Sequence, residues 1–163
     1  MGSGVGEGAG TGFATSRGRD WPSVRQFNVF LENRVGALLN VVRRFETTDI
    51  RIVSLTVTDL ADCAIIRIVL SDPERALEIF QQARLPTTES DLLVVQLPDG
   101  AGSIPQICKV LLAAEINIDY AYTLLVGTPG QAAFALHVDA HETAVNLLTR
   151  HGFTVFTEND LNS

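Results

Sequence analysis

From Arg25 to Glu32 apolar and polar residues alternate, which is the two-residue period of a half-buried strand. Behind Gly36, residues Leu38, Val41, Val42 and Phe45 fall at helical spacing and predict a helix ending at Asp49. Ile50 to Thr58 is rich in β-branched residues and predicts a strand. Asp59 to Asp62 reads as a turn, and Cys63 to Leu70 as the returning strand of a hairpin. Asp72-Pro73 marks a second helix start, with Asp72 as N-cap and Pro73 in the first turn. Ala76, Leu77 and Phe80 form its buried stripe, and Pro86 stops it. Thr87 to Leu97 has two roles. Its first part closes this unit as a last strand, and Leu92 to Leu97 opens a new one; the pattern leaves open whether this is one strand or two.

The elements then recur. A helix carries Ile104, Ile107, Cys108, Leu111 and Leu112 on one face. Strands are predicted over Ile116–Val126 and Gln131–Val138, joined by a turn at Thr128-Pro129-Gly130. A helix follows from His141 to Arg150, closed by Gly152, and a last strand over Phe153–Thr157. One constant offset carries Asn33 onto Asp99, Gly36 onto Gly102, Val41 onto Ile107, Phe45 onto Leu111 and Ile52 onto Ile118. The body is thus one unit written twice. Its order, β-α-β-β-α-β, predicts two ferredoxin-like α+β units, each an antiparallel sheet with helices on one face. The expected divisions are residues 1–22, 23–91 and 92–163. A unit of this size is marginal alone, so each needs apolar cover from a neighbour.

The first 22 residues differ: Gly2, Gly4, Gly6, Gly8, Gly10, Gly12 and Gly18 dominate and large apolar residues are scarce. Such a segment buries too little to offset its ordering entropy and is expected to be a disordered, solvated leader with no role, the alternative being that Arg17, Arg19 and Trp21 anchor its end. The net charge of −7 disfavours nucleic acid as a partner. No apolar run suits a membrane span or a signal peptide. Cys63 and Cys108 read as reduced thiols of a cytoplasmic protein.

Candidate chemistry centres on the turn between first strand and first helix of each unit. In unit one it comprises Asn33, Arg34, Val35, Gly36, Ala37 and Leu38; in unit two Asp99, Gly100, Ala101, Gly102, Ser103 and Ile104. Glycine at a helix entrance lets another group approach the backbone, and the first helical N–H groups attract a carboxylate. Asn33 and Asp99 are placed either to cap the helix or to hold a ligand's ammonium group.

Asn33-Arg34-Val35-Gly36-Ala37-Leu38 with Ile50-Arg51-Ile52, and Asp99-Gly100-Ala101-Gly102-Ser103-Ile104 with Ile116-Asn117-Ile118, resemble the ACT domain pattern. The resemblance spans about residues 25–160. Glu32-Asn33-Arg34, Gly36-Ala37-Leu38 and Ser54-Leu55-Thr56-Val57 make the first unit similar to the regulatory small subunit of acetolactate synthase. The whole resembles small stand-alone tandem-ACT proteins described as acetolactate synthase-like. The resemblance implies allosteric regulation by a bound amino acid, in a homodimer or on a biosynthetic enzyme, with no catalytic residues and no cofactor. It places the ligand on the two loops, with Asn117 and Ile118 completing the second. Unit one has Arg51 where Asn is expected and Val35 where Pro is frequent; unit two has Glu115 where Gly is frequent. The second loop, which keeps Asp99, Gly102 and Asn117 together, is therefore the favoured site. The competing readings are a small subunit of acetolactate synthase and a ligand-free oligomerisation module.

Other chemistry lacks residues. His137, His141 and His151 have no cysteine partners for a metal site. Cys108 takes the repeat position of Val42 and reads as a small core residue. Acylphosphatase-like use of Arg34 needs an asparagine on the hairpin, and Cys63–Leu70 has none. RNA-binding modules of this fold need basic charge beside exposed aromatics. Tyr120 and Tyr122 are expected to line an interface or the ligand pocket instead.

Overall fold

The computed structural model describes residues 21–127 and 129–162. The glycine-rich tail expected over residues 1–22 lies outside them except for Trp21 and Pro22, and so does Thr128 of the expected turn. Pro22 O accepts from His141 Nε2 (2.8 Å), and the Trp21 ring lies 6.5 Å from that imidazole. The tail's end is therefore seated where the last helix begins.

The chain runs β1 (Val24–Glu32), α1 (Ala37–Val42), β2 (Ile52–Asp59), β3 (Cys63–Leu70), α2 (Pro73–Gln82), β4 (Thr87–Gln96), α3 (Ile104–Ala113), β5 (Ile118–Val126), β6 (Gln131–Val138), α4 (His141–Arg150) and β7 (Val155–Phe156). Short 3-10 turns cover Arg43–Phe45, Gly100–Ser103 and Glu158–Asn162. All strand pairings are antiparallel, in the order β2-β3-β1-β4-β6-β5, with β7 also on β4. Each half thus has the ferredoxin-like arrangement, and β4 belongs to both. Residues Thr87–Leu92 pair with β1, Leu93–Gln96 pair with β6, and Val94 and Val95 pair with β7. The open question about Thr87–Leu97 resolves as one continuous strand that changes partners midway.

Three apolar clusters follow from this path. Phe27, Val29, Ile66, Ile68 and Leu70 pack beneath α1 and α2 with Val41, Phe45, Ala76 and Phe80. Leu93, Val95, Phe134, Leu136 and Val138 pack beneath α3 and α4 with Ile107, Leu111, Val145 and Leu148. The third lies between the helix-free faces: Val24, Val69, Leu92 and Val94 meet Leu124, Val126, Ala133, Ala135, Phe156 and Leu161. The sheet folds back on itself about β4, and its outer edges β2 and β5 come within 8 Å between Cα atoms. No helix among the described residues is long and apolar enough to cross a membrane.

Local departures from the sequence expectations have chemical causes. The first helix stops at Val42 rather than Asp49 and tightens into the 3-10 turn Arg43–Phe45. Beyond it the Thr48 hydroxyl donates to Phe45 O at 2.9 Å, offering the backbone an alternative to helix. The final strand is Val155–Phe156 rather than Phe153–Thr157: the Phe153 N–H is used on Leu148 O at the end of α4, and Asp160 Oδ2 captures both the N–H (2.6 Å) and the hydroxyl (3.0 Å) of Thr157. Asp72 caps α2 as expected, accepting from the Arg75 N–H at 3.1 Å.

Candidate functional site

The first loop turns on Gly36, whose φ of +84° favours glycine. No side chain caps the short helix behind it. Asn33 is not a cap: its Nδ2 donates to Asp59 Oδ1 (2.7 Å), tying the loop to the end of β2. The Arg34 guanidinium lies 3.6 Å from Glu32, both exposed. Val35 is fully exposed, Ala37 is partly buried, and Leu38 is exposed. Beside this loop is a recess of 330 Å³. Its apolar floor includes Leu31, Val41 and Leu85, and its polar rim is Glu32, Arg34, Asn40 and Arg44. A larger, more open groove of 480 Å³ runs past Arg44 and Arg75 on the helix side, where Arg75 already pairs with Asp49 at 2.8 Å.

The second loop is organised by its own residues. Gly100 takes φ +58°, the Asp99 N–H donates to Ser103 Oγ (3.1 Å), and Ser103 is buried. Asp99 stands at the start of the 3-10 turn without a side-chain capping bond. Ala101 and Gly102 are exposed, and a Cβ at Gly102 would meet only Asp99, at 3.9 Å. Ile104 and Ile118 pack against the α3–α4 core. Asn117 Nδ2 donates to Asp119 Oδ1 (2.8 Å), and the Asn117 N–H donates to Asp139 Oδ1 (3.0 Å). The Asn117 side chain is thus engaged along its own strand. Arg51, its counterpart in the first half, donates to Leu161 O (2.7 Å) and holds the C-terminal turn.

A polar cluster absent from the sequence candidates crosses between the helix-free faces. Gln26, fully buried on β1, donates through Nε2 to Tyr120 OH (2.7 Å) and Asn28 Oδ1 (2.9 Å), and accepts from Tyr122 OH (2.7 Å). Burial raises the Tyr122 phenol well above its ordinary pKa; Tyr120 adds to this, while the Ser54 hydrogen bond and the Arg67 charge oppose it. Tyr120 and Tyr122, expected to line an interface or the ligand pocket, lie between the helix-free faces of the two halves. No signal in the sequence singles out their partners: Gln26 pairs with Ser90 and Asn28 with Thr88, but polar residues are common along both paired segments. Each histidine has partners of its own: His137 Nδ1 meets Asp119 (2.8 Å), His141 Nε2 meets Pro22 O and His151 Nδ1 meets Leu147 O (2.8 Å). Cys108 is half-buried against the α3–α4 core.

A family model described as an ACT domain pair matches residues 22–163. This chain belongs to that family. Among solved structures, the ACT pair resembles protein BT0572 from Bacteroides thetaiotaomicron at 21% identity and TM-score 0.78, over 88% of this chain and 98% of that one. It also resembles the ligand-free regulatory subunit of aspartate kinase from Thermus thermophilus, at 11% identity and TM-score 0.54, over 80% and 93%. The regulatory subunit of aspartate kinase from Thermus flavus matches at 10% identity and TM-score 0.51, over 80% and 92%. These likenesses establish the shared fold of the ACT pair. No curated protein matches the chain.

Proposed function

We propose that this ACT pair is a regulatory protein that responds to a free amino acid, with units spanning residues 23–91 and 92–163, and that the ligand sits in the recess beside the first loop. The observation that carries the reading is the recess's chemistry. Two guanidiniums, Arg34 and Arg44, flank an apolar floor, with the Glu32 carboxylate on the same rim. An α-carboxylate suits the guanidiniums, an α-ammonium suits Glu32, and an aliphatic side chain suits Leu31, Val41 and Leu85. Regulation then follows from differential affinity: the ligand favours whichever arrangement of units, or of a partner enzyme, holds the recess in shape.

A thermal-shift screen of the proteinogenic amino acids tests this. A binder present at 100 times its Kd stabilises the fold by about 2.7 kcal/mol. Arg44→Ala is expected to abolish the shift and Gly102→Val to leave it. The reverse pattern moves the site to the second loop, and a flat screen overturns the reading.

A further inference from the structure

The cluster between the two sheet faces has a recess of its own, 180 Å³ in volume and separate from both loops. Arg67, Thr88, Ser90 and Tyr120 give it polar atoms, and Phe30 and Ile65 give it an apolar floor. It draws on both units, since Tyr120 and the neighbouring His137 come from the second and the rest from the first.

The hydrogen bonds already made around the recess fix the sign of what it would hold. Gln26 uses both amide hydrogens on Tyr120 OH and Asn28 Oδ1, and its oxygen accepts from Tyr122. Asn28 Oδ1 is therefore an acceptor, and its Nδ2 donates to Ser90 Oγ (2.8 Å) and Thr88 Oγ1 (3.3 Å). Each of these three hydroxyl oxygens receives a hydrogen bond and keeps its own proton to give. Arg67 donates once, to Thr58 Oγ1 (2.8 Å), and its guanidinium lies 4.3 Å from the Tyr120 ring centroid. Among the described residues no carboxylate forms an ion pair with it. Asp119, the acid nearest in sequence to Tyr120, has one oxygen on His137 Nδ1 and the other on Asn117 Nδ2. The recess thus presents one guanidinium and three hydroxyl protons above an apolar floor.

We propose that this recess binds a small carboxylate with a short aliphatic tail, its oxygens on Arg67, Ser90, Thr88 and Tyr120 and its tail on Phe30 and Ile65. The volume equals the share of about six waters, room for a tail of about two to four carbons. An anion here bridges both units and holds their faces together, which makes it a second input distinct from the loop site.

Isothermal titration of the full chain with sodium propionate and butyrate is the test, with propionamide and inorganic phosphate as controls. Expected are saturable binding of the carboxylates at one site per chain and at least about tenfold weaker binding of the neutral amide. Arg67→Met is expected to weaken propionate about tenfold or more, and Arg44→Ala to leave it unchanged, which separates this site from the loop recess. Ser90→Ala removes one donor and keeps the charge; its expected loss of about threefold or more tests the same site should Arg67→Met not fold. No saturable carboxylate binding, equal binding of propionamide, tighter binding of phosphate, or full propionate affinity in a folded Arg67→Met or Ser90→Ala chain would each overturn the proposal.

Discussion

Arg84, Glu115 and Gly152 occupy the same place in three helix endings. After α2, the Arg84 N–H donates to Gln81 O and the Leu85 N–H to Phe80 O; after α3, Glu115 to Leu112 O and Ile116 to Leu111 O; after α4, Gly152 to Thr149 O and Phe153 to Leu148 O. This double closure puts its middle residue in the left-handed region, here at φ 54°, 57° and 83°. Only the third position has glycine. Side chains at the other two oppose that conformation by about 1–2 kcal/mol, partly offset by the backbone entropy that glycine would lose. Glu115→Gly and Arg84→Gly are therefore expected to raise unfolding stability by about 0.5–1 kcal/mol each, and Gly152→Ala to lower it by about 1 kcal/mol. Urea titration with an unchanged slope is the measurement; a loss on either glycine substitution would sink the argument. The sequence made Gly152 legible as a helix stop. It marked Glu115 only as a departure from the family pattern, and the backbone angle explains why glycine suits that place.

Among the elements, β4 carries the most. Leu92, Leu93, Val94 and Val95 are all fully buried, so alternation fails where the strand is covered on both faces. Leu92 and Val94 enter the core between the sheets, while Leu93 and Val95 enter the core beneath α3 and α4. Adjacent residues thus serve different cores through one stiff strand. Leu92→Ala and Leu93→Ala are each expected to cost about 2–5 kcal/mol. Calorimetry should show one shared transition for both variants, because neither unit can lose β4 alone; two resolved transitions would mean the units unfold independently. Most elements were legible because their periods are strong and their caps local: β3, β6 and α4 have the boundaries their sequences predict. The polar cluster was not legible. Gln26 meets Tyr120 and Tyr122 only because β4 folds the sheet back, and no local period encodes that approach. The recess beside the first loop was hidden for the same reason, since Leu85 and Pro86 reach it from the far end of the unit.

Over the whole molecule, the two ends of the folded chain are joined through Arg25. Its side chain is 2% exposed and sits against Glu74 on α2, Glu89 on β4 and Glu158 in the C-terminal turn. The Arg25 N–H donates to Glu158 Oε1 (3.1 Å), whereas Nε, 3.3 Å from the same oxygen, is misaligned for a hydrogen bond and contributes by charge alone. Burial pulls the guanidinium's pKa down, but the hydrogen bond to Glu74 and the charges of Glu158, Glu89 and Glu74 outweigh it, and the net shift is upward. A cation whose folded pKa is raised contributes stability that is complete below its unfolded pKa and lost only as pH rises through the folded one. For Arg25 that window lies above even the ordinary arginine range, so its contribution is constant through neutral and mildly alkaline pH. Arg25→Met keeps the bulk and removes the charge from beside Glu158, whose side chain is 6% exposed. The expected loss is about 3 kcal/mol, together with faster proteolysis of the C-terminal turn that Leu161 anchors between the sheets. Glu158→Gln in the same chain should recover part of that loss, since the amide needs no counter-charge, giving a coupling of about 1 kcal/mol or more in a double-mutant cycle. Additive losses would mean that Arg25 acts through packing and not as the charge that clasps the C-terminal turn to the first strand.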